Sequence, residues 1–340
     1  MRRTRIHFRT AVVILLLGVV VAGCALRLDR LFADVKKERR AGNFARADQL
    51  LRKEIAAEEE KLETDSLLLA KLRHELAVTH FEAGDLILAK VEAEAAMEIR
   101  RLVHPGYVNA ENLITLGRIH ERLGEMEAAE HYFRSAVEVY EILLPDDIPV
   151  VEKHGLIYPR SKGFEKLARA HIGLTRLADA LEYYHRALVT VGDHAEALRV
   201  SNRRVEVCTL VPMRDDLPVI FALSDRARDN LALGDTSAAS GDLEHGEGLF
   251  FTDPEESSSR RLYASLILAS GWLSVEREDR AEACVYDAIK EVGGRLRAED
   301  WKVVDSVAVC YGAGLRGRGL DAQADSLRQR LEPLQPKSRR

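Results

Sequence analysis

Apolar positions recur with a helical period along most of the chain, and the clearest pattern runs from Leu113 to Val137. Leu113, Leu116, Gly117 and His120 share one helix face, Gly124 breaks the run, and Met126, Ala129, Phe133, Ala136 and Val137 share the next. The spacing predicts two amphipathic helices folded back on a glycine. Such a hairpin cannot bury its apolar face alone and needs neighbours of the same kind. Leu76, Ala77, His80, Gly84, Leu86, Ala89, Ala93 and Ala96 repeat the pattern, and Gly42, Phe44, Ala47 and Leu51 begin an earlier copy. A third copy reads Leu167, Ala168, His171, Leu177, Ala180, Tyr184, Ala187 and Leu188, with Thr175 where glycine is expected. The expected turns therefore stand at 42, 84, 124 and 175.

Beyond Gly192 the pattern weakens. A helix is expected over 194–211, a break at Pro212–Asp216, and a helix over 217–233 ended by Gly234. Residues 235–246 are small and polar, a poor helix by propensity, but Ala239 and Leu243 keep register as a degenerate repeat partner. Leu268, Ala269 and Trp272, then Ala281, Val285, Ala288 and Ile289, make a better hairpin turning near Glu276. Final helices are expected from about Ala298 to Gly312 and from Leu320 to Leu331, followed by a disordered tail, 332–340. A proline-bearing insert, 144–163, reads either as a tolerated insertion or as a functional connector.

The pattern Leu113, Leu116-Gly117, Ala129 and Phe133 resembles the tetratricopeptide repeat, with His120 in place of the usual tyrosine. Spacings near 42 residues and the His104-Pro105 turn resemble the longer-helix, kinesin-light-chain-like subtype. The resemblance implies an all-α fold, a right-handed α-solenoid of helix hairpins, with the array over 31–191, a linker helix and break over 192–216, and degenerate hairpins over 217–331. It also implies that the first helices of the hairpins line a groove for a peptide or protein partner. Family register places Lys71, His74, Val78 and Phe81 there, then Glu111, Ile114, Arg118 and Glu121, then Lys162, Glu165, Arg169 and Ile172. Phe81 between Arg118 and Arg169 would suit a partner with an apolar anchor and a carboxylate.

Composition agrees with an all-α protein: 31% charged residues and 6% aromatic ones. The 50 basic side chains face 55 acidic ones, a net charge of −5. This balance argues against a general nucleic-acid or anionic-membrane binder, which needs a basic face.

Residues 1–24 join a basic start (Arg2, Arg3, Arg5, Arg9) to an apolar run from Ala11 to Ala22. That is the layout of an export signal, and the run is shorter than the about 20 residues of a membrane span. Val21-Ala22-Gly23-Cys24 resembles the bacterial lipobox, so Cys24 is expected to be lipidated after removal of 1–23, with 24–30 as a tether. Without 1–23 the chain carries 46 basic against 55 acidic side chains, a net −9. More than one acyl chain, at about 0.8 kcal/mol per buried CH₂, would hold it firmly to a membrane. By family resemblance, Ala25 rather than an aspartate after the cysteine points to the outer membrane, facing the periplasm.

The remaining chemistry is sparse. His80, His120 and His171 recur at one repeat position, either as a metal ladder or as packing residues. Helices pack 8–10 Å apart, and zinc needs nitrogen ligands at about 2.0–2.1 Å, so packing is the expectation and no metal is assigned. Cys208, Cys284 and Cys310 form no CxxC; a Cys284–Cys310 pair or small core residues are the two readings. No Ser-His-Asp set or phosphate loop follows a strand, so no catalytic residue, cofactor or small-molecule substrate is expected. The sequence thus describes an envelope lipoprotein that acts as a protein-interaction scaffold in assembly of an envelope complex. The alternatives are a structural or sensory subunit of a larger machine, or an enzyme or enzyme regulator.

Overall fold

The computed structural model describes residues 26–61, 64–103, 109–144, 162–210, 216–250, 258–292 and 296–336. The chain divides into two compact units, the first ending at Val139 and the second beginning at Tyr140. The first contains α1 (26–40), α2 (Phe44–Glu59), α3 (Ser66–Ala83), α4 (Leu86–Val103), α5 (Ala110–Leu123) and most of α6 (Met126–Leu143). The second contains α7 (Lys162–Val191), α8 (His194–Leu210), α9 (Leu217–Ala232), α10 (Thr236–Phe250), α11 (Ser258–Ser274), α12 (Glu278–Glu291), α13 (Ala298–Gly317) and α14 (Asp321–Leu331).

Consecutive helices pair as hairpins, and each turn is marked by a residue at positive φ. In the first unit these are Gly42, Gly84 and Gly124, spaced 42 and 40 residues. In the second they are Gly192, Gly234, Glu276 and Gly319, spaced 42, 42 and 43. The 42-residue step expected between Gly234 and Glu276 therefore holds, to within one residue, throughout the second unit. Side-chain caps close some starts: Asp65 accepts from the amides of Leu67 and Leu68 at 3.1 and 3.0 Å, and Asn109 from that of Asn112 at 3.1 Å.

Four expectations are corrected. No turn occurs at Thr175; α7 runs through it, because Leu174, Leu177, Leu181, Tyr184 and Leu188 keep one unbroken buried stripe. The turn comes at Gly192, where glycine takes φ 84° at no steric cost. Consequently α8 is no linker: it folds back on α7 as the second helix of a hairpin, and packs on α9. At the ends, residues 26–30 belong to α1 rather than to a tether. Glu332–Leu334 form a 3₁₀ turn that buries Leu334 and accepts the Leu296 amide at 2.8 Å. Residues 1–25, with Cys24, and most of the 144–163 insert lie outside the described residues.

The poor propensity of 236–250 is overridden by packing. Asp235 caps α10 by accepting from Ala238 at 2.9 Å, and Ala239 and Leu243 are fully buried. A side chain at Gly246 would come within 2.9 Å of Leu268, so glycine is what allows the close approach of α10 and α11. The second unit's core runs from Leu217 to Leu334 around a fully buried Trp272. Beside it, the buried apolar side chains of α7 and α8 enclose a small polar cluster shared with α9. Asp229, 1% exposed, accepts from His185 Nε2 at 2.8 Å and from Ser201 Oγ at 2.7 Å.

Glu276 is the one non-glycine residue at positive φ among the described residues, at 62°. The left-handed region costs an L-residue about 1–2 kcal/mol. Glu276→Gly is therefore expected to raise stability by about 1 kcal/mol, read as a rise of a few degrees in the calorimetric midpoint. An unchanged or lower midpoint would contradict this account of the turn.

Candidate partner-binding face

Counting back from each turn residue gives the geometry of the first helices. Residues thirteen and six positions before the turn lie on an open stripe: Lys71 and Val78 on α3, Glu111 and Arg118 on α5. Lys71 and Glu111 are exposed, and Val78 and Arg118 half-buried. The Lys71 ammonium sits 4.2 Å from the ring centroid of Phe32, which lies ten positions before Gly42, so the inner row of α1 meets the open stripe of α3.

Residues ten and three positions before the turn point instead toward the next hairpin. His74 is 9% exposed, and its Nε2 is 3.0 Å from Thr115 Oγ1 on α5. Phe81 is 7% exposed, with the guanidinium carbons of Arg118 and Arg122 at 4.6 and 4.8 Å from its ring centroid. Arg122 also donates to the Phe81 carbonyl at 3.0 Å. Phe81 is thus a core side chain under two cations, not an open anchor, and His74 is an interior residue. Ile114 and Glu121, in the same two rows, are half-buried.

Burial first, then Arg100 and Arg39, hold the His74 ionisation down to about 4. An unfolded histidine takes up a proton near pH 6.5. As pH falls from 6.5 to 4, the unfolded state binds a proton that the folded state refuses, and stability is lost over that window. The gap corresponds to about 3 kcal/mol. His74→Gln, which can still bond Thr115, should lose that much less than the parent between pH 7 and pH 4. Parallel urea midpoints for the two proteins across this range would refute the assignment.

Two of the recurring histidines, His80 and His120, are buried beside charged neighbours. His80 Nε2 lies 3.3 Å from Arg52 Nη2 and from Asp48 Oδ1. His120 Nδ1 is 2.5 Å from Glu125 Oε2, and its ring stacks on Tyr132 with centroids 5.1 Å apart. The side chains of Lys162, Glu165, Arg169 and His171 lie outside the described residues. Among the described residues no group of three or more His, Cys, Asp or Glu side chains is placed to hold a metal ion. Cys208, Cys284 and Cys310 are free thiols, respectively buried, half-buried and exposed. Burial pushes the Cys208 thiol up to about 11. Burial, and then a bond at 2.9 Å to Glu247, push up that of Cys284.

The second unit carries a face that the sequence reading missed. Measured from Gly192 rather than Thr175, the same register falls on Asp179, Glu182 and Arg186, not on Lys162, Glu165, Arg169 and Ile172. One period later it falls on Phe221 and Arg228 of α9, and then on Tyr263 and Ser270 of α11. Phe221 and Tyr263, both half-buried, meet edge to face at 5.2 Å with an 82° interplanar angle. Arg204 of α8, 4% exposed, ties the row together: it donates to Glu182 of α7, and to Asp225 of α9 at 2.5 Å. Asp225 also accepts from Arg228 at 3.0 Å, and the Arg186 guanidinium lies 5.0 Å from the Tyr183 ring centroid. Burial and then the Glu182 charge raise the Asp179 carboxyl, against the pull of Arg204. The result is a half-open aromatic strip flanked by arginines, held by ion pairs to one buried cation. The only signal for it in the sequence is the 42-residue spacing of Gly192 and Gly234.

No described helix is long and apolar enough to cross a membrane. The tetratricopeptide repeat profile matches residues 113–148, the α5–α6 hairpin. The fold is similar to that of BtubC (BKLC) from P. vanneervenii, with a TM-score of 0.53 and 16% identity over 68% of this chain and 84% of that one. It is similar also to the RpL4 assembly chaperone Acl4, with a TM-score of 0.50 and 16% identity over 86% and 99% of the two chains. The TPR-like repeats of a kinesin light chain from Podosopora anserina align at 17% identity with a TM-score of 0.47, over 68% and 98%. No curated protein sequence matches the chain. The repeat match thus covers one hairpin, residues 113–148, and the described residues form an all-α fold of tetratricopeptide-like helix hairpins.

Proposed function

We propose that this protein is a membrane-tethered scaffold that holds a protein partner along the first helices of its second unit. The observation that carries this reading is the Phe221–Tyr263 pair, two half-buried aromatic rings in contact across adjacent hairpins. Aromatic and arginine side chains supply most of the energy at protein interfaces, and Arg186 and Arg228 flank the pair in register. Lys71, Val78 and Arg118 are the corresponding open positions of the first unit and would serve a second contact. Cys24 would carry the lipid, and the bacterial envelope would be the setting, with the protein supporting assembly of an envelope complex.

The test places a photo-crosslinking amino acid at Ile267, one turn from Tyr263 on the same stripe, and for comparison at the exposed Asp287 of α12. A discrete crosslinked partner is expected from position 267 alone. The double change Phe221→Ala and Tyr263→Ala should weaken capture at least about tenfold with helicity unchanged. Equal crosslinking from both positions would refute the assignment of the face. Cys24→Ala should release the protein from the membrane fraction; unchanged fractionation would remove the tether.

A further inference from the structure

A cavity of about 480 Å³ opens between α12 and the α13–α14 hairpin, away from the face described above. Its floor is apolar: Val285, Leu315 and Leu327 line it and are 5%, 4% and 7% exposed. Tyr311 also lines it and is 4% exposed, yet its hydroxyl has no hydrogen-bond partner among the described residues. That hydroxyl is not among the sealed polar atoms, so it opens into the cavity. Burial and then the Glu282 charge push the phenol ionisation up to about 12, so it is a donor throughout the physiological range. The hydroxyl is thus a donor that faces the cavity, where a ligand could supply the acceptor.

The two ends of the cavity differ in charge. Glu278 and Glu282 line one end, and neither has an ion-pair or hydrogen-bond partner among the described residues. Their neighbour Asp279 is different: Arg277 binds it at 3.0 Å and holds its carboxyl down to about 2. The helix dipole favours a carboxylate in the first turn, which accounts for Glu278 but not for Glu282, one turn further on. Toward the other end the Arg330 guanidinium lies 4.7 Å from the Tyr286 ring centroid, so a cation entering the cleft is directed to the glutamate end. The lining runs along α12 from Glu278 to Ile289, about 16 Å at 1.5 Å per residue. An extended chain covers that length in about five residues.

We propose that this cleft binds a short extended peptide in which a bulky apolar side chain stands beside a lysine or arginine. The apolar side chain packs on Val285, Leu315 and Leu327, a backbone carbonyl accepts from the Tyr311 hydroxyl, and the cation meets Glu278 and Glu282.

The full chain is titrated into fluorescein-labelled pentapeptides of the form Gly-Lys-Leu-X-Gly, with X leucine, phenylalanine or tryptophan, and anisotropy is read at 50 and 500 mM NaCl. Saturable binding is expected that weakens severalfold at the higher salt. Tyr311→Phe keeps the buried ring and should weaken it about three- to tenfold. Glu278→Gln with Glu282→Gln should weaken it about tenfold and remove most of the salt dependence. Replacing the peptide lysine by norleucine should match that double variant without touching the protein. Absence of saturable binding at millimolar peptide overturns the proposal. So does binding that none of these changes alters, or binding that Phe221→Ala with Tyr263→Ala abolishes, since that would place the peptide on the other face.

Discussion

Asp229→Ala is expected to lower the unfolding midpoint of the second unit by on the order of 10 °C. The carboxylate is 1% exposed and is the acceptor for both His185 Nε2 and Ser201 Oγ, on helices α7 and α8. Removing it leaves two polar groups in a sealed interior with nothing to accept from them. Breaking a buried hydrogen-bonded pair in this way costs about 3–5 kcal/mol, and about 1 kcal/mol moves the midpoint of a domain this size by about 2–4 °C. Asp229→Asn should fall between, because one amide oxygen can still accept while the new NH₂ faces a donor. Replacing all three residues together (Asp229→Leu, His185→Phe, Ser201→Ala) should recover much of the loss, since a buried polar network trades evenly with a well-packed apolar one. A shift under about 3 °C for Asp229→Ala would mean that the network is open to water.

Phe133→Ala in the α5–α6 hairpin should cost about 3–5 kcal/mol, because the ring is fully buried and Ala leaves a cavity. Gly117 makes room for that ring: a Cβ built there would stand 2.5 Å from Phe133 Cε1. Gly117→Ala alone should therefore overpack the crossing and cost about 1–3 kcal/mol. The pair is coupled, so Gly117→Ala combined with Phe133→Leu should be more stable than the sum of the single effects by at least about 0.5 kcal/mol. Additive losses in urea titrations of the four proteins would show that the ring shifts aside and that the close contact is not what selects glycine.

Helix type and most helix limits were legible, because small, bulky and turn residues recur at fixed offsets. Gly84 and Gly124 announce themselves by sequence, since the left-handed conformation they adopt favours glycine. Glu276 shows the limit: its turn is found by spacing from Gly234, not by residue type. Thr175 misled for the opposite reason. The repeat pattern of 167–188 imitates a hairpin, but the apolar stripe never breaks, and only the true turn at Gly192 fixes which side chains face outward. The candidate groove failed at His74 and Phe81 because two helix rows three residues apart have similar composition, and sequence cannot tell which one meets the neighbouring hairpin. The Asp229 network joins residues on three helices, and the cavity around Tyr311 is lined from three, so no local pattern announces either.

The regular turns also govern how each unit comes apart. Hairpins spaced 40 to 43 residues pack mainly on the hairpins before and after them. Nearly all closure is therefore short-range along the chain, and the entropy of forming each hairpin is met locally. A pull on one end would peel such a unit hairpin by hairpin, and amide exchange would show a gradient of protection from its terminal hairpins inward.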